Sequence, residues 1–308
     1  MTDNNAESRP KGSDFLNLDA GTLRGVLFTF ASAACISVTF IAVKQATQEL
    51  SPLAFSPIWF AVATVWGMGL YLFQSGLTIP PNLRASTRPL LALGLFNGTA
   101  NLLLFTAINL GDPTLVAFFS RSETVYTVLM GWWLLGEQML AYQWLGAGLT
   151  VAGAGTMTFR GGTLIGITLA ITLVSNFFLS LSTLIAKRQI HAVPPAFLSM
   201  ARTALMTLML GTVALSAGQL AWPNTNAWMW IIGGSFFGPF LSYVLFYQGL
   251  RTLDLGKGAV IRSTQPLFVA LYSMVLFGAT ITLQQFFGGL LMLVGVALML
   301  WQKQTKGR

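Results

Sequence analysis

The chain has 308 residues, of which 54% are hydrophobic and 8% are charged, with a net charge of +8. Because a soluble domain carries about 25% charged residues, this composition excludes a soluble protein and indicates an integral membrane protein with little mass outside the bilayer. The single cysteine, Cys35, excludes an intrachain disulfide and a cysteine-based zinc cluster within this sequence.

Ten apolar segments follow one another along the chain, each close to the length of about 20 residues that a helix needs to cross the hydrocarbon core. Residues 1–21 before them are polar and lack the apolar core of a signal peptide, so we expect a disordered cytoplasmic tail. Short connections containing Pro, Gly, Asn and Asp separate the segments, as turns require. The predicted spans are about Leu23–Val43, Leu53–Phe73, Pro89–Ile108, Thr114–Leu135, Tyr142–Phe159, Leu164–Ile185, Ala196–Ser216, Ala227–Leu250, Leu255–Phe277 and Leu283–Trp301.

The basic residues lie mostly on one side of the predicted spans. An even number of spans places both termini on the same side, and only Lys44 and Arg160 fall on the other side. Since cytoplasmic loops carry the excess of Lys and Arg, both termini are predicted to be cytoplasmic, and the basic excess reflects topology rather than nucleic-acid binding. The basic residues on the side of the termini are Arg9, Lys11, Arg24, Arg84, Arg88, Lys187, Arg188, Arg251, Lys257, Lys303, Lys306 and Arg308.

An internal repeat relates the two halves of the sequence at a constant shift of 142 residues. The stretch that starts at Phe105 aligns without gaps with the stretch that starts at Tyr247. Self-similarity at one fixed shift marks a duplicated unit, which predicts a first repeat at 22–160, a second at 163–302 and a short cytoplasmic tail at 303–308. The identities at this shift include Asp112 with Asp254, Gly136 with Gly278, Gln143 with Gln285, Gly146 with Gly288, Gly153 with Gly295, Pro52 with Pro194 and Phe55 with Phe197.

Each repeat contains five predicted spans, so the second repeat enters the membrane in the opposite sense to the first. The predicted fold is therefore an all-α integral membrane protein with ten transmembrane helices arranged as two inverted five-helix repeats. Many secondary transporters have inverted repeats, which rock about a central site and open it to either side in turn. The alternative is a duplication that only builds a stable bundle.

Three stretches of the sequence resemble a known family of transporters. They are "LLGE" at Leu134–Glu137, "WLGAGLTVAGA" at Trp144–Ala154 and "STQPLFVALYS" at Ser263–Ser273. Together with the ten spans, they resemble the drug/metabolite transporter superfamily, and most closely its EamA-type exporters, of which the bacterial aromatic amino acid exporters are the most similar. The chain departs from the family pattern at Ala279, where a glutamate is usual, and at Thr124, where a proline is more common.

Charged residues lie well inside three of the predicted spans, the fourth, seventh and ninth. At a rise of 1.5 Å per residue, Glu123 and Gln265, which the repeat aligns, both lie near the midplane of the bilayer, and Arg121 and Arg262 lie a turn or less away. Charge at this depth costs about 2.5–3.5 kcal/mol and usually faces the bundle interior or a water-filled cavity. We expect these residues to contact a central site, although an ion-pair network that also includes Arg202 and locks three spans together remains the alternative. Because Arg121 and Glu123 are two residues apart, they cannot share one helix face. We therefore expect that span four has polar neighbours on two sides or is unwound there, or that one of the two residues pairs with a different helix.

Other polar and aromatic residues inside the spans are candidates for the lining of that site. Aromatic side chains at these depths are also typical of packing and of lipid contact. The polar candidates are Asn97, Asn101, Ser175, Asn176, Tyr243 and Tyr247. The aromatic candidates are Trp59, Phe105, Phe178 and Phe246, and the hinge candidates are Pro239 and Pro266.

One acid and a few arginines near the midplane suit a zwitterionic amino acid. An arginine presents a planar fork of donors to a carboxylate, and Glu123 would accept from the ammonium group. Nucleotide sugars would favour more basic residues, and organic cations would favour an acid with an aromatic box and no arginine. A raised pKa would also let a buried Glu123 carry a coupling proton.

Enzyme and ATPase motifs are absent from the sequence. It contains no Gly-x-Ser-x-Gly, His-Glu-x-x-His or Walker sequence, and its one histidine, His191, lies in a predicted loop. We therefore expect no cofactor and no metal, and transport that is driven by a gradient or runs downhill. The predicted function is alternating-access export of small metabolites, amino acids being the favoured class, across a bacterial inner membrane. The alternatives are a multidrug or organic-cation exporter and, less favoured, an intramembrane enzyme; direction, coupling ion and oligomeric state stay open.

Overall fold

The computed structural model describes residues 20–48, 50–76, 78, 80, 83–110, 120, 122–158, 166–278 and 282–301. Within these ranges every regular element is a helix, and none is a strand. The helices are α1 (Ala20–Ala46), α2 (Pro52–Ser75), α3 (Leu83–Leu110), α4 (Ser122–Leu134), α5 (Ala141–Thr158), α6 (Gly166–Gln189), α7 (Pro195–Ser216), α8 (Thr225–Ser235), the π-helix π1 (Phe236–Ser242), α9 (Tyr243–Leu250), α10 (Leu255–Arg262), α11 (Gln265–Phe277) and α12 (Leu283–Leu300).

Ten transmembrane helices in two inverted five-helix repeats make up the described parts of the chain, as the sequence predicts. Spans eight and nine are each assembled from consecutive shorter helices: α8, π1 and α9 in one, α10 and α11 in the other. Among the described residues, the segments that are long and apolar enough to cross a bilayer by length and composition alone are Ala20–Val43, Pro52–Ser75, Ala170–Gln189, Pro195–Ser216 and Thr225–Leu250.

The repeat is visible where α5 packs against α12. A Cβ on Gly146 would lie 2.6 Å from the Gly295 carbonyl oxygen, and a Cβ on Gly153 would lie 2.5 Å from that of Gly288. The two contacts are equivalent in the repeat, because the 142-residue shift pairs Gly146 with Gly288 and Gly153 with Gly295. Between them, the Thr150 hydroxyl lies 3.5 Å from the carbonyl oxygen of Met292, the residue 142 positions later. Glycine at these four positions lets the two backbones touch, which explains why the repeat preserves glycine there.

Span eight contains a π-helical turn at its centre. Pro239 lies inside π1, and because its ring closes on the backbone nitrogen, it has no N–H to donate. The Ser242 hydroxyl donates to the carbonyl oxygen of Gly238 inside the same turn. π-turns occur mostly as single insertions within α-helices and frequently at functional sites.

Span nine is interrupted, whereas the sequence predicts one helix across Leu255–Phe277. Helix α10 ends at Arg262 and α11 begins at Gln265, so Pro266 is the second residue of α11 rather than a kink within a continuous helix. Proline disfavours helical geometry in the residue before it and cannot donate to the preceding turn. The hydroxyls of Ser263 and Thr264 donate to carbonyl oxygens of the last turn of α10, each at 2.7 Å, and the backbone N–H groups of the same two residues donate to the same oxygens.

One end of the bundle holds both the start of α1 and the end of α12. A Cβ on Gly25 would lie 3.0 Å from a side-chain carbon of Leu253, and the Tyr142 hydroxyl donates to the Trp301 carbonyl oxygen at 3.0 Å. The α4–α5 connection contacts the start of α10 at this same end. We call this end the terminal face. A cluster of buried apolar side chains from α3, α6, α7 and α9 fills the bundle behind it.

Candidate functional site

Two charged residues among the sequence candidates, Glu123 and Arg262, lie at helix ends. Glu123 is in the first turn of α4, and Arg262 is the last residue of α10. The partial positive charge of a helix N-terminus favours the carboxylate, and the partial negative charge of a C-terminus favours the guanidinium. Both side chains are partly exposed and lie within range of mutual electrostatic attraction. The first turn of α4 and the end of α10 at the break in span nine thus provide a favourable setting for charges that the middle of an apolar helix would not.

Arg262 lies over two aromatic rings of α9. Its guanidinium carbon is 4.4 Å from the Tyr243 ring centroid and 4.5 Å from that of Phe246. Cation–π attraction of this kind stabilises by about 0.5–2 kcal/mol, depending on desolvation. The rings hold the guanidinium next to the break in span nine, where Gln265 begins α11 and is also partly exposed.

Arg202 is engaged by groups of the protein itself. This residue of α7 is 1% exposed, and its two terminal nitrogens donate to Asn97 Oδ1 at 3.1 Å and to the Pro239 carbonyl oxygen at 2.6 Å. Its guanidinium carbon also lies 3.5 Å from the Tyr243 ring centroid. Arg202 therefore ties α3, the π-turn and α9 together, and the carbonyl oxygen it binds belongs to the proline at the π-turn. Its role is to hold the walls of the site in place.

The three predicted asparagines form hydrogen bonds within the bundle. Asn97 Nδ2 donates to the Ser182 hydroxyl at 2.9 Å, and Asn176 Nδ2 donates to the Ser122 hydroxyl at 2.9 Å. Asn97 and Asn176 are each 1% exposed, while Asn101 is partly exposed and donates to the Asn97 carbonyl oxygen at 2.8 Å. The amides therefore fix α3 and α4 against α6. Contact of these side chains with a substrate stays a prediction.

The remaining sequence candidates are either buried by packing, partly exposed, or outside the described residues. Tyr247 is 1% exposed and lies behind Tyr243, with ring centroids 5.8 Å apart, and Trp59 packs against Phe55 at 5.0 Å. Phe178 is partly exposed and stacks on Phe96 at 5.7 Å. Ser175 donates to the Ala100 carbonyl oxygen at 2.7 Å. The structure does not describe Arg121 or the side chains of Phe105 and Pro266.

A carboxylate that sequence reasoning did not assign to any site joins the two repeats. Glu137, in the connection between α4 and α5, accepts hydrogen bonds from the backbone N–H of Leu255 and, at 2.9 Å, of Gly256, the first two residues of α10. Burial raises the pKa of the Glu137 carboxyl, and the two N–H donors and the nearby Lys187 ammonium oppose that rise. The motif "LLGE" marks this residue, but its partner lies more than a hundred residues away along the chain, so the sequence alone shows only an acid in a short connection.

Basic side chains close the same face around Glu137. Lys187 Nζ donates to the carbonyl oxygens of Leu250, at 2.6 Å, and Leu253, where α9 ends. Arg188 Nη2 donates to the Leu134 carbonyl oxygen at 3.0 Å, which is a further bond from one repeat to the other. Cations near a helix C-terminus satisfy carbonyl groups that have no partner within the helix.

Comparisons with known proteins agree with this architecture. The model of the EamA-like transporter family matches residues 23–159 and again residues 164–301. An uncharacterized transporter from Archaeoglobus fulgidus is 28% identical over 222 residues, which cover 70% of this chain and 77% of that protein. Another uncharacterized transporter, from Methanothermobacter thermautotrophicus, is 24% identical over 200 residues, 62% of this chain and 58% of that protein. A crystal structure of a protein that is 16% identical superposes with a TM-score of 0.77, covering 89% of this chain and 95% of the other, and shows likeness of fold alone.

Proposed function

The chain belongs to the EamA-like transporter family, and from this premise we propose that it is a secondary transporter that exports small metabolites, with amino acids as the favoured class, by alternating access. The pair formed by Glu123 and Arg262 carries the proposal. A zwitterion matches this pair, since its carboxylate would bind Arg262 and its ammonium group would bind Glu123. The substrate would thereby replace the attraction between the two side chains with two contacts of its own.

The aromatic surroundings favour a substrate with an apolar or aromatic side chain. Tyr243 and Phe246 lie under Arg262, and Phe178 is partly exposed on α6, the helix that also bonds α4 beside Glu123. Arg202 donates to two groups of the protein, which leaves Arg262 as the described arginine best suited to bind a carboxylate. Polyanions would need more cations than this pair provides.

The proposed orientation in the membrane rests on the basic residues. Most basic residues of the connections and tails belong to the terminal face, and the usual excess of Lys and Arg in cytoplasmic loops supports a cytoplasmic position for that face. The chain would then span the inner membrane of a bacterial cell with both termini inside.

Counterflow of labelled phenylalanine into proteoliposomes tests the proposal. Uptake that unlabelled amino acids abolish, and that an organic cation leaves unchanged, is the expected result. Arg262→Ala and Glu123→Gln should each lower uptake at least about tenfold, the factor that the loss of about 1.4 kcal/mol of binding produces, while Arg84→Ala at an exposed position should not. Full uptake by both site variants would refute the assignment of the pair.

An organic cation is the second candidate, because Glu123 is an acid near aromatic rings. Inhibition by the cation alone, with no effect of amino acids, would favour that exporter on the same fold. In that case Glu123→Gln would abolish binding of the cation, and Arg262→Ala would leave it intact or strengthen it, since removal of the arginine eliminates a repulsive charge.

A further inference from the structure

At the terminal face, the carboxylate of Glu137 in the first repeat is hydrogen-bonded to the start of α10 in the second repeat. Its two oxygens accept from two adjacent N–H groups, Leu255 and Gly256, which have no acceptor within their own helix because they begin it. We propose that Glu137 is a latch that holds the terminal face closed and must release α10 each time that face opens. This inference rests on the proposed function, since a latch has a role only if both faces open in turn.

The latch is connected to the candidate site through one short helix. Helix α10 has eight residues, or about 12 Å at 1.5 Å per residue. Its first residues bind Glu137, and its last residue is Arg262. A hydrogen-bonded helix of this length moves as a unit, so a displacement of Arg262 when substrate binds or leaves is transmitted to the bonds at Glu137.

Glycine residues on both sides of the Glu137 carboxylate leave the space that it occupies. A Cβ on Gly131 would lie 2.5 Å from Glu137 Oε2, so glycine at this position in α4 leaves the space that the carboxylate occupies. A Cβ on Gly256 would lie 3.5 Å from the same oxygen and 3.8 Å from the Cα of Val128. Val128 and Leu255 are 3% and 0% exposed, so the surface between α4 and α10 next to the latch is closed to water, while Glu137 itself is partly exposed.

The sequence provides this acid in one repeat only. The 142-residue shift aligns Glu137 with Ala279, which has no carboxylate and lies outside the described residues. A latch of this kind therefore acts at the terminal face and has no counterpart of the same chemistry at the aligned position. We expect the protein without substrate to rest with its terminal face closed.

Cysteine reactivity in detergent solution tests the latch without any transport measurement. In a Cys35→Ala background, Val128→Cys places a thiol between α4 and α10 that should react slowly with a soluble maleimide. Glu137→Ala should raise this rate at least about tenfold, which corresponds to about 1.4 kcal/mol and is within the range for a lost charged hydrogen bond. Glu137→Gln should raise it less, because its single carbonyl oxygen can accept from only one of the two N–H groups. Gln138→Ala, at the exposed neighbouring residue, is the matched control and should leave the rate unchanged.

A second reporter separates opening from loss of the fold. The second reporter is Ala227→Cys. Ala227 is 1% exposed in α8, at the end of the bundle opposite the terminal face, so a thiol there should stay unreactive in every variant. A Val128→Cys rate that does not change in Glu137→Ala would overturn the latch. An equal rise at Ala227→Cys would overturn it as well, because Glu137 would then support the fold as a whole. Since no substrate takes part, a wrong assignment of the substrate changes none of these outcomes.

Discussion

Replacement of Gly153 by alanine tests the close contact between α5 and α12. An ordinary carbon contact begins at 3.4 Å, but the new Cβ would lie 2.5 Å from the Gly288 carbonyl oxygen and 2.6 Å from the Met292 backbone nitrogen. Both neighbours are backbone atoms, so neither can rotate away, and the helices must separate by roughly 0.9 Å along this line. Overpacking of this kind costs about 1–3 kcal/mol.

Gly148 provides the matched control on the same helix. Within the described residues, no atom lies within 4 Å of a Cβ built there, so Gly148→Ala adds a methyl group without a clash. Alanine is the better helix former by about 1 kcal/mol, and the control should therefore unfold at the same temperature as the original chain or slightly above it.

Thermal unfolding of both variants in one detergent gives the comparison. Gly153→Ala should have a Tm at least about 4 °C below that of Gly148→Ala, as follows from about 2 kcal/mol and a shift of about 2–4 °C per kcal/mol. Gly146→Ala should match Gly153→Ala, because exchange of the repeats converts one contact into the other. Equal Tm values for Gly153→Ala and Gly148→Ala would refute the argument that backbone contact keeps glycine at these positions.

Three other substitutions test the surroundings of the candidate site. Arg202→Lys removes the planar fork, so one ammonium group cannot reproduce both the bond to the Pro239 carbonyl oxygen and the bond to Asn97 Oδ1. The substitution should lower the free energy of unfolding by about 1–3 kcal/mol, measured by denaturant titration; no loss would contradict the bridging role. Asn176→Ala removes the bond to Ser122 and should cost about 0.6 kcal/mol, the average for such bonds in membranes, so a loss above about 2 kcal/mol would point to a larger network. Phe246→Leu should weaken binding of phenylalanine more than binding of alanine in counterflow competition, and equal weakening would remove the ring from the substrate contacts.

The broken helices connect the fold with the candidate site. A continuous helix satisfies its own backbone and has no partial charge at mid-membrane, whereas α10 ends inside the bundle at Arg262. Side-chain hydroxyls of Ser263 and Thr264 satisfy carbonyl groups at that end. The break therefore makes charge at this depth less costly, which is the condition for a polar site in an apolar bundle.

The sequence by itself determined the fold class, the ten spans and the repeat. Lipid offers no hydrogen bonds, so every crossing segment must be a helix of about 20 apolar residues, and such segments are recognisable without tertiary contacts. Glycines paired at one shift, such as Gly146 with Gly288, showed the duplication because close backbone contact preserves them. The depth of Glu123 and Arg262 in the membrane stays a prediction from the sequence, based on the constant rise per residue of a helix.

Only the tertiary structure decided which partner each charge has. Arg202 and Arg262 are alike in sequence, yet Arg202 donates to residues of α3 and the π-turn. Arg262 instead lies over rings of α9, within range of electrostatic attraction to Glu123. Glu137 lies 119 positions from Gly256, the residue it binds. Such contacts depend on how each helix is rotated about its axis and where it breaks. In lipid, an apolar residue is equally suited to face the lipid or a neighbouring helix, so the apolar pattern does not fix the rotation of a helix. The packing between distant segments fixes it instead.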